Sequence, residues 1–215
     1  GGGGNDVLRG GLGNDFLNGQ LGDDRLFGDE GHDSLSGEDG VDDVNGGEGD
    51  DKLMGGSGND SLKGDNGNDS IFGEAGDDVL QGGDGHDQLK GGDGKDSLRG
   101  GLGNDFLNGQ LGDDKLFGEA GNDSLVGDNG NDEIYGGDGD DRLTGGTGDD
   151  LMYGELGNDS LWGDGDSDTL VGGDGWDRLY GGDGDDNLRG GNGDDLLRGD
   201  AGIDRLYGEN DADQL

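Results

Sequence analysis

The chain repeats every nine residues from Gly1 to Leu215, without an insertion. Twenty-three complete nonapeptides and eight further residues give 24 units. Gly occupies the first position of every unit, Asp the sixth, and Leu, Val, Ile or Met the eighth. The fourth position is Gly in 22 units, the exceptions being Asp166 and Asp211. A fixed short period is typical of repeat architectures in which each unit packs on its neighbours.

The residue types within the period favour strands and turns over helices. Gly accounts for 60 of the 215 residues, and each Gly in a helix costs about 1 kcal/mol relative to Ala. We therefore expect positions 1 to 6 to form a turn, because Gly allows positive φ and Asn or Asp at position 5 tolerates turn geometry. Positions 7 to 9 are predicted to form a three-residue strand, with the aliphatic residue at position 8 inward and positions 7 and 9 outward.

Composition limits the classes of partner. The chain carries 54 acidic and 13 basic residues, a formal charge of −41, and has no Cys or Pro. Low hydrophobicity with such a charge is typical of chains that stay disordered without a ligand. A polyanion repels nucleic acid and anionic membranes, so neither is expected as a partner, whereas cations are. No catalytic arrangement of side chains stands out beyond the repeat, so we do not expect an enzyme.

The repeat GGxGxDx-aliphatic-x, as in "GGLGNDFLN" at residues 10–18, resembles the RTX (repeats-in-toxin) calcium-binding repeats of secreted bacterial proteins. The resemblance covers residues 1–215 as a single uninterrupted array, which we expect to be part of a larger protein. It implies an all-β, right-handed parallel β-roll with two nonapeptides per coil, about twelve coils. It also implies Ca²⁺ between successive turns.

The resemblance further implies which residues bind the metal. In the family, position-6 carboxylates and backbone carbonyls of positions 1 to 4 supply the oxygens. Because two units make one coil, two columns of ligands are expected, in which successive members lie two nonapeptides apart. The altered position 4 at Asp166 and Asp211 could perturb the sites nearby. The first column contains Asp6, Asp24, Asp42, Asp60, Asp78, Asp96, Asp114, Asp132, Asp150, Asp168, Asp186 and Asp204, and the second contains Asp15, Asp33, Asp51, Asp69, Asp87, Asp105, Asp123, Asp141, Asp159, Asp177, Asp195 and Asp213.

Electrostatics supplies an argument for calcium that does not depend on the resemblance. Carboxylates stacked at the strand spacing of about 4.8 Å repel one another by roughly 0.9 kcal/mol per pair even in water. A divalent cation in each gap removes this repulsion, and hard oxygen ligands suit Ca²⁺ better than Mg²⁺. If all the gaps fill, about 22 Ca²⁺ would change the formal charge of −41 to roughly +3.

These features predict a secreted, extracellular or cell-surface, calcium-binding domain that folds on Ca²⁺ binding outside the cell. Two alternatives remain open: a structural spacer of an adhesin, surface layer or filament, and the calcium module of a larger secreted protease, lipase or toxin. Residues 10–28 and 100–118 differ only at Arg25 and Lys115, and such duplication suits a spacer. Repeat arrays need covered ends, so flanking domains or end-to-end self-association are expected.

Aromatic residues recur at position 9 in the second half of the chain, in every second nonapeptide. Phe117, Tyr135 and Tyr153 form one series, and Trp162 and Tyr180 another. Ordinary cross-strand packing is one explanation. An adhesive surface patch is the other.

Overall fold

The computed structural model describes all residues from 1 to 215 as strands joined by short turns. It contains no helix, and therefore no helix long and apolar enough to cross a membrane. The strands are β1 Gly2–Gly3, β2 Val7–Leu12, β3 Phe16–Leu21, β4 Arg25–Glu30, β5 Ser34–Asp39, β6 Asp43–Glu48, β7 Lys52–Ser57, β8 Ser61–Asn66, β9 Ser70–Ala75, β10 Val79–Asp84, β11 Gln88–Asp93, β12 Ser97–Leu102, β13 Phe106–Leu111, β14 Lys115–Ala120, β15 Ser124–Asn129, β16 Glu133–Asp138, β17 Arg142–Thr147, β18 Leu151–Leu156, β19 Ser160–Gly165, β20 Thr169–Asp174, β21 Arg178–Asp183, β22 Asn187–Asn192, β23 Leu196–Ala201 and β24 Arg205–Asn210.

The chain divides into two compact units, Gly1–Leu107 and Asn108–Leu215. In the first unit the odd-numbered strands β1 to β11 form one parallel sheet, and the even-numbered strands β2 to β12 form another. In the second unit the odd strands β15 to β23 and the even strands β14 to β24 again form two parallel sheets. Successive strands alternate between the sheets, so each unit is a parallel β-solenoid of about six turns with two nonapeptides per turn. The all-β solenoid expected from the repeat is confirmed.

The strand register follows the sequence period. Between β17 and β19, Leu143 pairs with Leu161 and Arg142 pairs with Ser160, a shift of two nonapeptides. Like residues therefore stack on like residues, and position 8 builds the core. The buried position-8 side chains are at most 6% exposed and comprise Leu17, Leu26, Leu35, Val44, Leu53, Leu62, Ile71, Leu80, Leu89, Leu98, Leu107, Leu116, Leu125, Ile134, Leu143, Met152, Leu161, Leu170, Leu179, Leu188 and Leu197.

The prediction of three-residue strands and six-residue turns is wrong. All strands after β1 span six residues, from position 7 of one nonapeptide to position 3 of the next, and the turn is confined to positions 4 to 6. The reason is that positions 2 and 3 also pair with the neighbouring coil, as Gly146 does with Asp164. Positive φ occurs at positions 2 and 4, even where position 2 is not Gly, as at Glu155 with φ 77°.

The position-9 aromatic residues stack along the strands. The ring centroids of Phe117 and Tyr135 lie 5.1 Å apart and those of Tyr135 and Tyr153 lie 5.2 Å apart, with nearly parallel planes. Trp162 and Tyr180 stack in the same way at 5.7 Å. Cross-strand packing therefore accounts for the spacing of these residues.

Candidate metal centre

The invariant Asp at position 6 is the last residue of each turn, directly before a strand. Because the coils are in register, these residues stack in two columns within each unit, and each column takes its members from every second nonapeptide. The twenty from Asp24 to Asp195 are buried, at most 3% exposed. The outermost four, Asp6, Asp15, Asp204 and Asp213, are only half-buried.

Beyond the first coil, the stacked Asp residues use one carboxylate oxygen to accept a hydrogen bond from the backbone. Oδ1 of Asp159 accepts a hydrogen bond of 2.8 Å from the N–H of Asp141, one coil earlier, and the N–H of Asp159 donates in the same way to Oδ1 of Asp177. Asp168 accepts equivalently from the N–H of Asp150, although Asp166 replaces Gly two residues before it. Asp166 adopts the positive φ of position 4, at 76°, so its substitution leaves Asp168 in place.

The second oxygen, Oδ2, is buried and has no hydrogen-bond partner along most of both columns. A buried acceptor without a partner costs about 1–3 kcal/mol, and a charged one more, so native proteins rarely keep even one. A regular series of them indicates a partner of another kind. The orphaned Oδ2 atoms include those of Asp15, Asp24, Asp33, Asp42, Asp51, Asp60, Asp69, Asp78, Asp87, Asp132, Asp141, Asp150, Asp159, Asp168, Asp177, Asp186 and Asp195.

The Gly at position 1 keeps the space beside Oδ2 open. A Cβ placed on Gly136 would lie 2.5 Å from Oδ2 of Asp141 and 2.7 Å from the carbonyl oxygen of Gly154, in the next coil. A Cβ on Gly10 would meet the corresponding atoms of Asp15 and Gly28 at 2.6 and 2.8 Å. A carboxylate oxygen and a backbone carbonyl oxygen therefore converge on a space that any side chain would fill. The invariance of position 1 follows from this contact rather than from positive φ.

Burial shifts the protonation of these carboxyl groups. It raises the pKa of Asp150 to about 8 and that of Asp60 and Asp159 to about 7, from 3.8. The hydrogen bond from the backbone N–H one coil earlier, that of Asp141 for Asp159, lowers the pKa. Repulsion from stacked neighbours, such as that of Asp177 on Asp159, raises it again. The charged form is therefore disfavoured in these surroundings, and a cation near Oδ2 would favour it.

The available atoms fit a hard divalent cation. No group of three or more His, Cys, Asp or Glu side chains is placed to hold a metal ion by itself, so a metal site here would draw on backbone carbonyl oxygens as well. Carboxylate and carbonyl oxygens are the ligands that Ca²⁺ prefers. Soft and borderline metals would instead favour Cys or His ligands, and the chain has no Cys.

A second series of contacts at position 5 was not anticipated from the sequence. The Asn or Asp side chain there accepts a hydrogen bond from the backbone N–H one coil later, as Asn158 Oδ1 does from Trp176 at 3.0 Å. Nδ1 of His32 and of His86 takes the same role, at 2.7 Å, for Asp50 and Asn104. The sequence signal for these contacts was the frequent Asn or Asp at position 5, which we interpreted only as tolerance of turn geometry.

Comparison with known proteins agrees with this geometry. The family model of the RTX calcium-binding nonapeptide repeat matches in overlapping segments throughout the chain: 1–35, 18–53, 54–89, 90–125, 117–152, 126–161, 153–188, 162–197 and 189–215. No curated protein matches the chain. The matched repeat is a non-catalytic calcium-binding module typical of secreted bacterial proteins. With its nine-residue period, its stacked aspartates and these matches, the chain belongs to the RTX calcium-binding nonapeptide repeat family.

Proposed function

We propose that this chain is a calcium-triggered folding module, with the position-6 aspartates of both columns as its side-chain ligands. The orphaned, buried Oδ2 atoms beside Gly at position 1 carry this proposal. Each interior Asp borders two gaps, so filling one gap favours its neighbours and the titration is cooperative. When every gap is filled, about 22 Ca²⁺ neutralise the formal charge of −41.

Calcium-triggered folding lets one sequence suit two compartments. Without Ca²⁺ the buried carboxylates destabilise the solenoid and the chain stays unfolded, as its low hydrophobicity favours. Extracellular calcium modules bind with dissociation constants of about 10⁻⁴–10⁻³ M. The chain would then remain unfolded in a calcium-poor cytoplasm, cross the envelope in that form, and fold outside the cell.

A second candidate role, a structural spacer, is favoured by the near-identity of residues 10–28 and 100–118. Duplicated coils lengthen a solenoid without changing its cross-section. This role also requires calcium-dependent folding, so the two roles share their first test. A larger secreted enzyme or toxin that uses this chain as its calcium module would fit equally well with folding on Ca²⁺.

Far-ultraviolet circular dichroism of the chain, titrated with CaCl₂ up to the order of 10 mM, tests the proposal. We expect a disordered spectrum in chelator and a steep transition to a β spectrum with Ca²⁺. MgCl₂ at the same concentration is the matched control and should produce little folding, because Mg²⁺ demands a tight octahedron and retains its waters. A β spectrum that persists in excess chelator at pH 8 would overturn the proposal.

A further inference from the structure

The nonapeptide separates charges by position. Of the 13 Lys and Arg residues, 12 lie at positions 7 and 9, and only Lys95 lies in a turn. Among the 54 acidic residues, only Asp43 and Glu133 lie at position 7 and none at position 9. Side chains at positions 7 and 9 point outward from the two sheets, whereas the remaining acids lie at positions 2 to 6. The rows at positions 7 and 9 are therefore basic, whereas the acids at positions 2 and 3, such as Asp164 and Asp183, lie at the opposite end of the strands from position 7.

One sheet face of the second unit, on strands β15 to β23, has no acidic residue at positions 7 and 9. Across these strands Arg142, Ser160 and Arg178 are in register in one row. Trp162 and Tyr180 are in register in the adjacent row. We call these five residues the basic aromatic face.

The cations of this face are not used by the chain's own carboxylates. Arg142 and Arg178 are exposed and form no ion pair. The guanidinium carbon of Arg142 instead lies 4.1 Å from the ring centroid of Trp162. Because β17 and β21 flank β19 on opposite sides, Arg142 and Tyr180 cover opposite faces of the Trp162 ring. This stacking holds the guanidinium in place with its donors available.

We propose that the basic aromatic face binds an acidic polysaccharide once Ca²⁺ has neutralised the turns, an inference that rests on the proposed function. Before neutralisation the acidic turns would repel any polyanion. Afterwards guanidinium groups two strands apart, with a Ser hydroxyl between them, offer charge-assisted hydrogen bonds to the anionic groups of an extended polymer.

The same geometry disfavours other polyanions. Single-stranded nucleic acids bind through bases that stack on open aromatic faces, and both faces of Trp162 are already covered. Peripheral membrane binding needs apolar side chains that insert below the headgroups, whereas Ser160 and the two arginines make the position-7 row polar and charged.

The test measures binding of dextran sulfate to the full chain in 10 mM-range CaCl₂, with uncharged dextran as the ligand control. The variant Trp176→Phe leaves Trp162 as the only tryptophan, so its fluorescence reports on the face. We expect binding in Ca²⁺, and a loss of about tenfold or more with a shallower salt dependence in Arg142→Gln/Arg178→Gln. The control Arg9→Gln/Lys63→Gln changes the net charge equally but removes cations already paired with Asp29 and Asp65, and should bind nearly as the parent.

Circular dichroism on the same samples separates the two proposals. A chain that fails to fold in Ca²⁺ overturns the proposed function and with it this inference. A folded chain that does not bind dextran sulfate, or that loses binding equally in both double variants, overturns the polysaccharide site alone. So does equal or tighter binding of single-stranded DNA or phosphatidylserine vesicles with the same dependence on Arg142 and Arg178.

Discussion

Asp159 and Leu161 lie two residues apart, and both are fully buried in the second unit. Leu161 stacks on Leu143 and Leu179 in the aliphatic core, where burial is favourable under any solution condition. Asp159 stacks between Asp141 and Asp177, where burial and repulsion disfavour its charge. The same periodic stacking thus produces one kind of column that always stabilises the fold and another that stabilises it only with a cation.

This contrast explains how folding can be conditional. A core of one aliphatic side chain per nonapeptide is thin, so the carboxylate columns determine whether the solenoid forms. Proteins are stable by only about 5–15 kcal/mol, and unpartnered buried charges along two columns suffice to reverse that balance. Substitutions or solution conditions that change only one kind of column therefore test the contrast directly.

Acid should replace calcium, which is the largest effect we expect. Carboxyl groups whose pKa is raised to about 6–8 in the folded chain, such as Asp87, Asp159 and Asp150, bind protons more readily when folded than when unfolded. In chelator the folded state therefore gains stability as pH falls through about 8 to 6, and the gain is complete below the unfolded value of 3.8. Circular dichroism in chelator from pH 8.5 to 4.5 should show β structure appearing.

With Ca²⁺ present the dependence on pH reverses. Metal ligands must be deprotonated, so the calcium midpoint should rise as pH falls through the same range. Light scattering at each pH separates folding from aggregation near the pI. A calcium-free chain that stays disordered down to pH 4.5 without aggregating would contradict the raised pKa values.

Asp159→Asn should change sign with calcium. The amide keeps an acceptor for the N–H of Asp141 but removes the buried charge. In Ca²⁺ we expect a loss of about 3–5 kcal/mol, as when one partner of a buried ionic contact is removed. In chelator we expect a gain of about 1–3 kcal/mol, measured as a lower midpoint of folding by trimethylamine N-oxide, which strengthens burial.

Leu161→Ala is the matched control in the aliphatic column of the same nonapeptide. It should lower the free energy of unfolding by about 2–5 kcal/mol. Folding should therefore require more calcium and, in chelator, more osmolyte. If both variants destabilise the chain in both conditions, the aspartates act only as structural hydrogen-bond acceptors, and the distinction between the columns fails.

Much of this contrast could be predicted from the sequence, because the period of nine stacks like residues on like residues and the family resemblance implies two nonapeptides per coil. Once like residues stack, Leu161 must face Leu143 and Asp159 must follow Asp141, and both the core and the aspartate columns follow. Strand length could not be derived in this way, because Gly at positions 1 and 2 resembles a turn until its pairing with the neighbouring coil is known. The orphaned Oδ2 atoms depend on which oxygen the backbone uses, a detail of atomic geometry that residue spacing does not contain.

The smallest expected effect concerns the position-5 contacts, which are exposed. At Asn158 the position-5 side chain itself carries no charge. Its side-chain oxygen accepts a hydrogen bond from Trp176 N–H. Its backbone N–H and its side-chain amide donate to Asp140 Oδ1 at 2.8 and 2.9 Å, and these two hydrogen bonds lower the pKa of Asp140. Asn158→Ala should therefore cost about 0.5–1.5 kcal/mol, equally in Ca²⁺ and in chelator with osmolyte, because no buried charge changes. Urea denaturation measures the loss in Ca²⁺. The control is Ser124→Ala, on a strand face, whose side chain makes no hydrogen bond. If Asn158→Ala lost stability only in Ca²⁺, position 5 would instead belong to the metal sites. The turn surface and the aspartate columns would then act together in calcium binding.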